Sequence, residues 1–340
     1  MNSKERVLLA LRQQPQQQRP FTLTLSLYGA RLTGCPLTEY YRQPYRYVEG
    51  QEAVMALCAP DILFAPFALS LEAEAFGSEL IFLPNNPPNV KKPAFRSADE
   101  FIEQQAPDID NHPSLCYFRE STRLLSGKYD GSTPICTLLT APVDLPAIIL
   151  GIDQWLETLL FAPDKAAHIM EKTTSHFAAM ANALLADGAS FIGVPTMFTN
   201  PRILYPHLIK EIILPALARS FSMVEGPIVF HHGGNPMASG LSEYASLPHV
   251  AGFALDHRDS LTEARAHLGP ERLILGNLNG ITLARVKSET IMKKVHEILE
   301  DRKEDPCFIF ATANADIPFA TPPELLQAIA LAIRNFNTTI

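Results

Sequence analysis

Two adjacent histidines, His231 and His232, end the apolar run Pro227-Ile228-Val229-Phe230 and open the turn Gly233-Gly234-Asn235-Pro236. Imidazoles titrate near neutrality, so a pair at the end of a buried strand can move a proton, hold a metal ion or hydrogen-bond a polar ligand. A stretch this short is equally compatible with a structural turn whose histidines bond nearby backbone. Other apolar runs end in the same manner. Gly252-Phe253-Ala254-Leu255 delivers Asp256 and His257, Leu273-Ile274-Leu275-Gly276 delivers Asn277, and Cys307 to Thr312 delivers Asn314 and Asp316. Tyr28 follows the first such run and Glu72 the second. Two imidazoles, three carboxylates and two amides at one mouth would suit a polar ligand and the transfer of a proton or a small group. His231, His232 and Asp256 are the candidate catalytic residues, and Tyr28, Glu72, Asn277, Asn314 and Asp316 the candidate substrate-binding ones. Plainer roles stand beside these. Asp256 could cap the next helix, Asp316 could cap the loop before Thr321, and Glu72 and Glu74 could form a solvated pair unless their helix turns one inward.

Residues so far apart in sequence meet only if the strands that carry them lie side by side. The chain supplies eight apolar strands: Pro20–Leu27, Asp61–Pro66, Pro134–Thr140, Phe191–Val194, Pro227–His231, Gly252–Leu255, Leu273–Gly276 and Cys307–Thr312. Helical patterns alternate with them: Tyr40–Ala59, Leu69–Phe76, Asp144–Phe161, Pro163–Ala186, Pro206–Val224, a helix opening at Ser260, and Ser288–Asp301. A short amphipathic helix, Lys4–Arg12, precedes the first strand, and Thr321-Pro322-Pro323-Glu324 reads as the capping box of the last helix. This alternation predicts a parallel sheet with helical crossovers, and eight units predict an α/β fold of the (β/α)8 TIM barrel type, a single domain over residues 1–340. In such a barrel the strand C-termini build the site. The proline- and asparagine-rich stretch from Gly77 to Gly131 reads as a long insertion between strands two and three, lying over one face.

Composition narrows the function classes. The 340 residues are 47% hydrophobic with a formal net charge of −8, which argues against a nucleic-acid partner. The five cysteines are scattered without a CxxC pair and read as reduced thiols, with Cys136 and Cys307 as core filler. No apolar run reaches the roughly 18 residues of a membrane span, so a soluble, cytoplasmic protein without membrane contact is expected.

Several of these stretches together bring a family into view. They are Ser70-Leu71-Glu72-Ala73-Glu74-Ala75-Phe76-Gly77, the strand ending at His231 before Gly-Gly-Asn, Leu275-Gly276-Asn277, and Ala315-Asp316-Ile317-Pro318 followed by Thr321-Pro322-Pro323-Glu324. Over nearly its whole length the chain resembles the uroporphyrinogen decarboxylase superfamily, and more closely its branch of corrinoid-dependent methyltransferases. That branch moves a methyl group from a methylcobamide to a thiol such as coenzyme M. The resemblance implies a corrinoid (methylcobalamin) carried by a corrinoid-binding partner protein, and a small-molecule methyl acceptor or donor. It also implies zinc, bound through His-x-Cys at the end of strand five and a further Cys after strand eight. His231 matches that histidine and is the one candidate metal ligand. Gly233 stands where the first cysteine is implied, and Ala315, or Asn314 if the loop shifts by one, where the second is. His232, Asp256, His257 or Asp316 could substitute only with ligands harder than sulfur, which puts zinc in doubt.

The decarboxylase branch is implied less well. Its arginine-rich segment after strand one is reduced here to Arg31, and strand two ends Phe64-Ala65-Pro66-Phe67 without the branch's aspartate. The expected function is therefore methyl transfer to or from a corrinoid, with His231 or His232 as base, Asp256 or Asp316 orienting it, and a pterin as one possible acceptor. The alternative from another class is a barrel that binds a corrinoid or tetrapyrrole without turnover.

Overall fold

The computed structural model describes residues 1–337. Its ten strands are β1 (Phe21–Thr22), β2 (Leu63–Phe64), β3 (Glu79–Ile81), β4 (Asn89–Lys92), β5 (Ile135–Leu138), β6 (Phe191–Pro195), β7 (Ile228–His231), β8 (Val250–Ala254), β9 (Leu273–Asn279) and β10 (Phe308–Ala313). Eight of them form one parallel sheet in the order β1-β10-β9-β8-β7-β6-β5-β2. The two ends of that order meet where the Asp61 N–H donates to the Phe21 carbonyl at 2.8 Å, which brings the sheet round into a nearly closed barrel. The expected (β/α)8 architecture is thus the observed one.

Inside the barrel the alternation of strand side chains brings Thr22, Cys136, Gly193, Val229 and Ala311 to the axis. Phe21, Phe230, Phe253 and Phe310 pack on the other side in the core shared with the helices. Helix Ser3–Leu11 lies under the barrel, where Val7 and Ala10 join a cluster with Ile62, Leu273 and Ile309.

Several elements differ from the sequence expectation, each for a physical reason. The first strand pairs only at Phe21–Thr22, because the next backbone groups find other partners. Thr24 N–H donates to the Thr312 hydroxyl at 2.9 Å, and Ile317 N–H donates to the Thr24 carbonyl at 2.9 Å. The Tyr40–Ala59 helix is split into Leu37–Tyr40 and Pro44–Cys58. Pro44 disfavours helical backbone at Gln43, which is extended (φ −117°, ψ 107°). A π-turn at Ile209–Ile213 interrupts the Pro206–Ser222 helix just before Pro215, whose ring removes a helical donor. The Thr321 capping box does not form: helix Pro323–Asn335 has no side-chain cap, and the Thr321 hydroxyl is buried without a partner.

The insertion is more structured than its composition suggests. It holds the β3–β4 hairpin, a short helix Ala98–Glu103 and a 17-residue helix Pro113–Tyr129 that packs against Pro44–Cys58 and β5. The inward face of that long helix includes Ser114, Ser121 and Thr122. These interrupt the apolar stripe by which a helix is recognised in sequence. All five cysteines are free thiols. Among the described residues, no helix is long and apolar enough to cross a membrane.

Candidate active site

β7 ends at the face of the barrel formed by the strand C-termini, with His231 facing the axis and His232 turned into the wall. Their rings lie 4.2 Å apart between centroids, tilted by 30°. Each histidine closes a tight turn on itself: Gly233 N–H donates to His231 Nδ1 at 3.0 Å and Gly234 N–H to His232 Nδ1 at 2.9 Å. A neutral imidazole that accepts at Nδ1 carries its proton on Nε2. His231 is therefore set as an Nε2–H donor. Burial pushes its pKa down to about 4, against the pull of Asp256 and the Asn314 backbone, so the ring is neutral at pH 7. His232 is fully buried, and burial holds its pKa well below the usual range. Its Nε2 faces the Asn314 N–H at 3.2 Å.

Asp256 is buried beside this pair. One carboxylate oxygen lies 3.4 Å from His232 Nδ1, and the other accepts from the Arg258 N–H at 3.0 Å and from Arg258 Nε at 2.6 Å. Burial works against its charge, but the Arg258 bonds outweigh burial and keep its pKa below the ordinary value. His257, partly exposed, stands 3.4 Å from Asp256 and 3.1 Å from the Asn314 amide. His231, His232, Asp256, His257 and Asn314 thus form one connected cluster.

Of the four other candidates, Asn277 supports this cluster through the Asp256 backbone and three lie elsewhere. Glu72 turns inward, contrary to a solvated pair, and is buried between helices. It accepts from Thr140 N–H at 3.1 Å and sits 3.4 Å from His176 Nε2. Glu74 instead holds Arg42 through two hydrogen bonds at 2.5 and 2.6 Å. Tyr28 is buried and gives its hydroxyl proton to the Thr321 carbonyl. Asn277 spends its amide on the carbonyls of Asp256 and Asp259, at 2.9 Å each, and so fixes the loop after β8. Asp316 does not cap the Thr321 loop; it accepts from Leu27 N–H at 2.9 Å and ties the loop after β10 to the segment after β1. Nor does Asp256 cap the next helix, a task taken by Ser260.

Below His231 the barrel axis contains a cavity of about 50 Å³, room for one or two waters or a methyl-sized group. Its walls are Phe64, Leu138, Val229, Ala254 and Leu275, together with Thr22, Thr24 and Thr312; the Thr22 hydroxyl donates to the Ile62 carbonyl at 2.8 Å and that of Thr312 to the Thr24 hydroxyl at 3.2 Å. Among the described residues, no Lys or Arg lines it. Sequence reasoning passed over these threonines and Arg258. The signal was present for Thr22 and Thr24, the polar members of an alternating strand whose leucines face the helices.

The zinc set implied by resemblance does not fit here. Gly233 has φ +61°, and a Cβ there would lie 2.0 Å from the Thr196 carbonyl oxygen, so the turn has no space for a cysteine side chain. Ala315 is exposed. The Nε2–H tautomer of His231 also places its proton where a metal would need a lone pair. Among the described residues, no three His, Cys, Asp or Glu side chains are grouped to hold a metal ion.

The family model described as uroporphyrinogen decarboxylase (URO-D) matches residues 2–336. A methylated-thiol–coenzyme M methyltransferase from Methanosarcina mazei is 24% identical over 281 residues, 82% of this chain and 74% of that protein. A uroporphyrinogen decarboxylase from Trichlorobacter lovleyi is 28% identical over 267 residues, 74% of this chain and 73% of its own. Among solved structures, a methyltransferase from Methanosarcina mazei superposes with a TM-score of 0.85 at 20% identity, covering 98% of each chain.

Proposed function

The chain belongs to the uroporphyrinogen decarboxylase (URO-D) family, and within it we propose a methyltransferase that moves a methyl group to or from a corrinoid carried by a partner protein. The observation that carries this reading is the cavity below His231: methyl-sized, largely apolar and without a cation. A polycarboxylate tetrapyrrole needs several cationic partners. Here the Arg31 guanidinium is spent on the Phe319 and Thr321 carbonyls, and Arg258 on Asp256 and the Gly234 carbonyl. The methylated-thiol methyltransferase among the relatives supports the same choice.

Methyl transfer is an in-line displacement, so the chain's task is to align two partners and steady the heteroatom that gains or loses the methyl. The corrinoid, a co-substrate on its own protein, supplies the cobalt that exchanges the methyl group. His231 offers Nε2–H to the methyl-bearing heteroatom as a hydrogen-bond donor, which steadies the charge left there when the methyl departs; in the opposite direction the acceptor's proton leaves to water at the barrel mouth. This revises the expectation that it acts as base, because the Gly233 turn occupies Nδ1. His232, Asp256 and Asn314 are positioning residues that hold the His231 turn, and the largely apolar cavity wall favours a neutral group at the axis. A neutral acceptor or donor, such as a pterin, suits this site better than a thiol that must be held as thiolate.

The test is to mix the protein with methylcob(III)alamin and, separately, tetrahydrofolate, homocysteine and coenzyme M, and follow the cobalamin spectrum. Demethylation with one acceptor is expected. His231→Ala is expected to lose about 100-fold in rate, with part recovered in His231→Gln, which restores a donor. An unchanged spectrum with every acceptor, also with the corrinoid protein supplied, would overturn the reading. It would favour a barrel that binds without turnover.

A further inference from the structure

At the opposite end of the barrel, helix Ser3–Leu11 and the strand starts enclose a second chamber, of about 330 Å³. Val7 and Leu8 from the helix and Val229, Leu273 and Ile309 from the strands give it an apolar interior. Lys4, Ser190 and Pro227, all exposed, mark its rim, as does Leu11 at 38% exposure. The helix is not loosely laid across this opening. Asn2 Nδ2 donates to the Gly131 carbonyl at 3.2 Å, Lys4 N–H to the Ser132 carbonyl at 2.9 Å, and Arg6 pairs with Asp61 at 2.6 Å.

Three observations bear on what the chamber takes. Its volume falls at the lower end of the range of small-molecule sites. Its apolar interior penalises vacancy and offers buried water too few partners, so an apolar occupant is favoured. Lys4 is the one cation lining it, and among the described residues its ammonium has no ion-pair partner. One layer of side chains, Ile62, Phe191, Val229 and Leu275, faces this chamber on one side and the His231 cavity on the other. The two are therefore separate spaces.

We propose that the chamber is a binding site for a monocarboxylate with an apolar tail, the tail held under the barrel and the carboxylate paired with Lys4 at the rim. A tail of medium length suits a chamber at the lower end of the small-molecule range.

Calorimetric titration of the full chain with octanoate, and in parallel with 1-octanol, tests this. Saturable octanoate binding is expected. Lys4→Gln, a change at an exposed residue, is expected to weaken octanoate by about twofold to fivefold and leave octanol unchanged, since only the charge pair is removed. Leu8→Trp fills the chamber and is expected to weaken both ligands at least about tenfold. Absence of saturable octanoate binding would overturn the proposal. So would octanoate binding that neither variant alters, because the ligand would then sit elsewhere. Should Leu8→Trp fail to fold, the Lys4→Gln comparison between the charged and neutral ligands decides alone.

Discussion

Asp316 carries its carboxyl into a fully enclosed space, where burial pushes the pKa up to about 7 despite hydrogen bonds from the backbone of Leu27 and Ser26. The unfolded chain returns it to the ordinary value of about 3.9. Between those values the folded state binds more protons than the unfolded one, so its stability falls as pH rises from about 4 to about 7. Asp316→Asn cannot ionise and is expected to flatten the unfolding free energy across that window, measured as denaturant midpoints at several pH values. An unchanged slope would place the pH dependence on Asp144, raised to about 6 by burial, and on Asp259. The residue scale is also where the sequence was least legible. Histidines and acids after strands announced a site, but nothing in their spacing distinguished Asp256, beside His232, from Glu72, turned between helices toward His176. Both are acids next to apolar runs, and only the tertiary packing of their neighbours separates them.

Helix Tyr28–Thr33 and helix Pro44–Cys58 approach each other through glycines. A Cβ on Gly50 would lie 2.6 Å from the Tyr40 ring and 2.9 Å from the Gly29 backbone. Tyr40 has little freedom to yield, since its hydroxyl donates to the Ser26 carbonyl at 2.8 Å and its ring packs between Tyr41 and Tyr47. Gly50→Ala is therefore expected to cost about 1–3 kcal/mol from overpacking, more than the helix propensity of alanine returns. Chemical denaturation that showed equal or greater stability would mean the two helices can part without loss. Element order was readable in advance because each barrel strand is an apolar run stopped by glycine, proline or a polar pair. The extent of β1 was not, since Thr312 and the loop after β10 satisfy backbone groups that would otherwise have joined a ladder. Helix Pro113–Tyr129 was hidden by its buried serine and threonine.

At the scale of the whole molecule, the barrel has one seam without a strand ladder, between β1 and β2, and Asp61 holds it from both its backbone and its side chain. Its N–H donates to the Phe21 carbonyl at 2.8 Å, and its carboxylate accepts from Phe21 N–H at 3.0 Å and from Arg6 Nε at 2.8 Å. One nearly buried carboxylate thus joins the first strand, the second strand and the helix under the barrel. Removing it leaves Arg6 without its ion-pair partner, holding only the Met1 carbonyl and the Ser3 hydroxyl, and leaves the Phe21 N–H without an acceptor; breaking a largely buried pair costs about 3–5 kcal/mol. Arg6 keeps some contact with water, so Asp61→Ala is expected near the lower end. Asp61→Asn keeps an acceptor for Phe21 and is expected to cost about half as much. Hydrogen exchange separates a seam from a general loss of stability. In Asp61→Ala the amide of residue 61 and those of helix Ser3–Leu11 should lose protection, while the β9–β10 ladder, paired over six residues, exchanges as before. Uniform loss of protection would show that the closing bond is an ordinary contact rather than the place where the barrel opens.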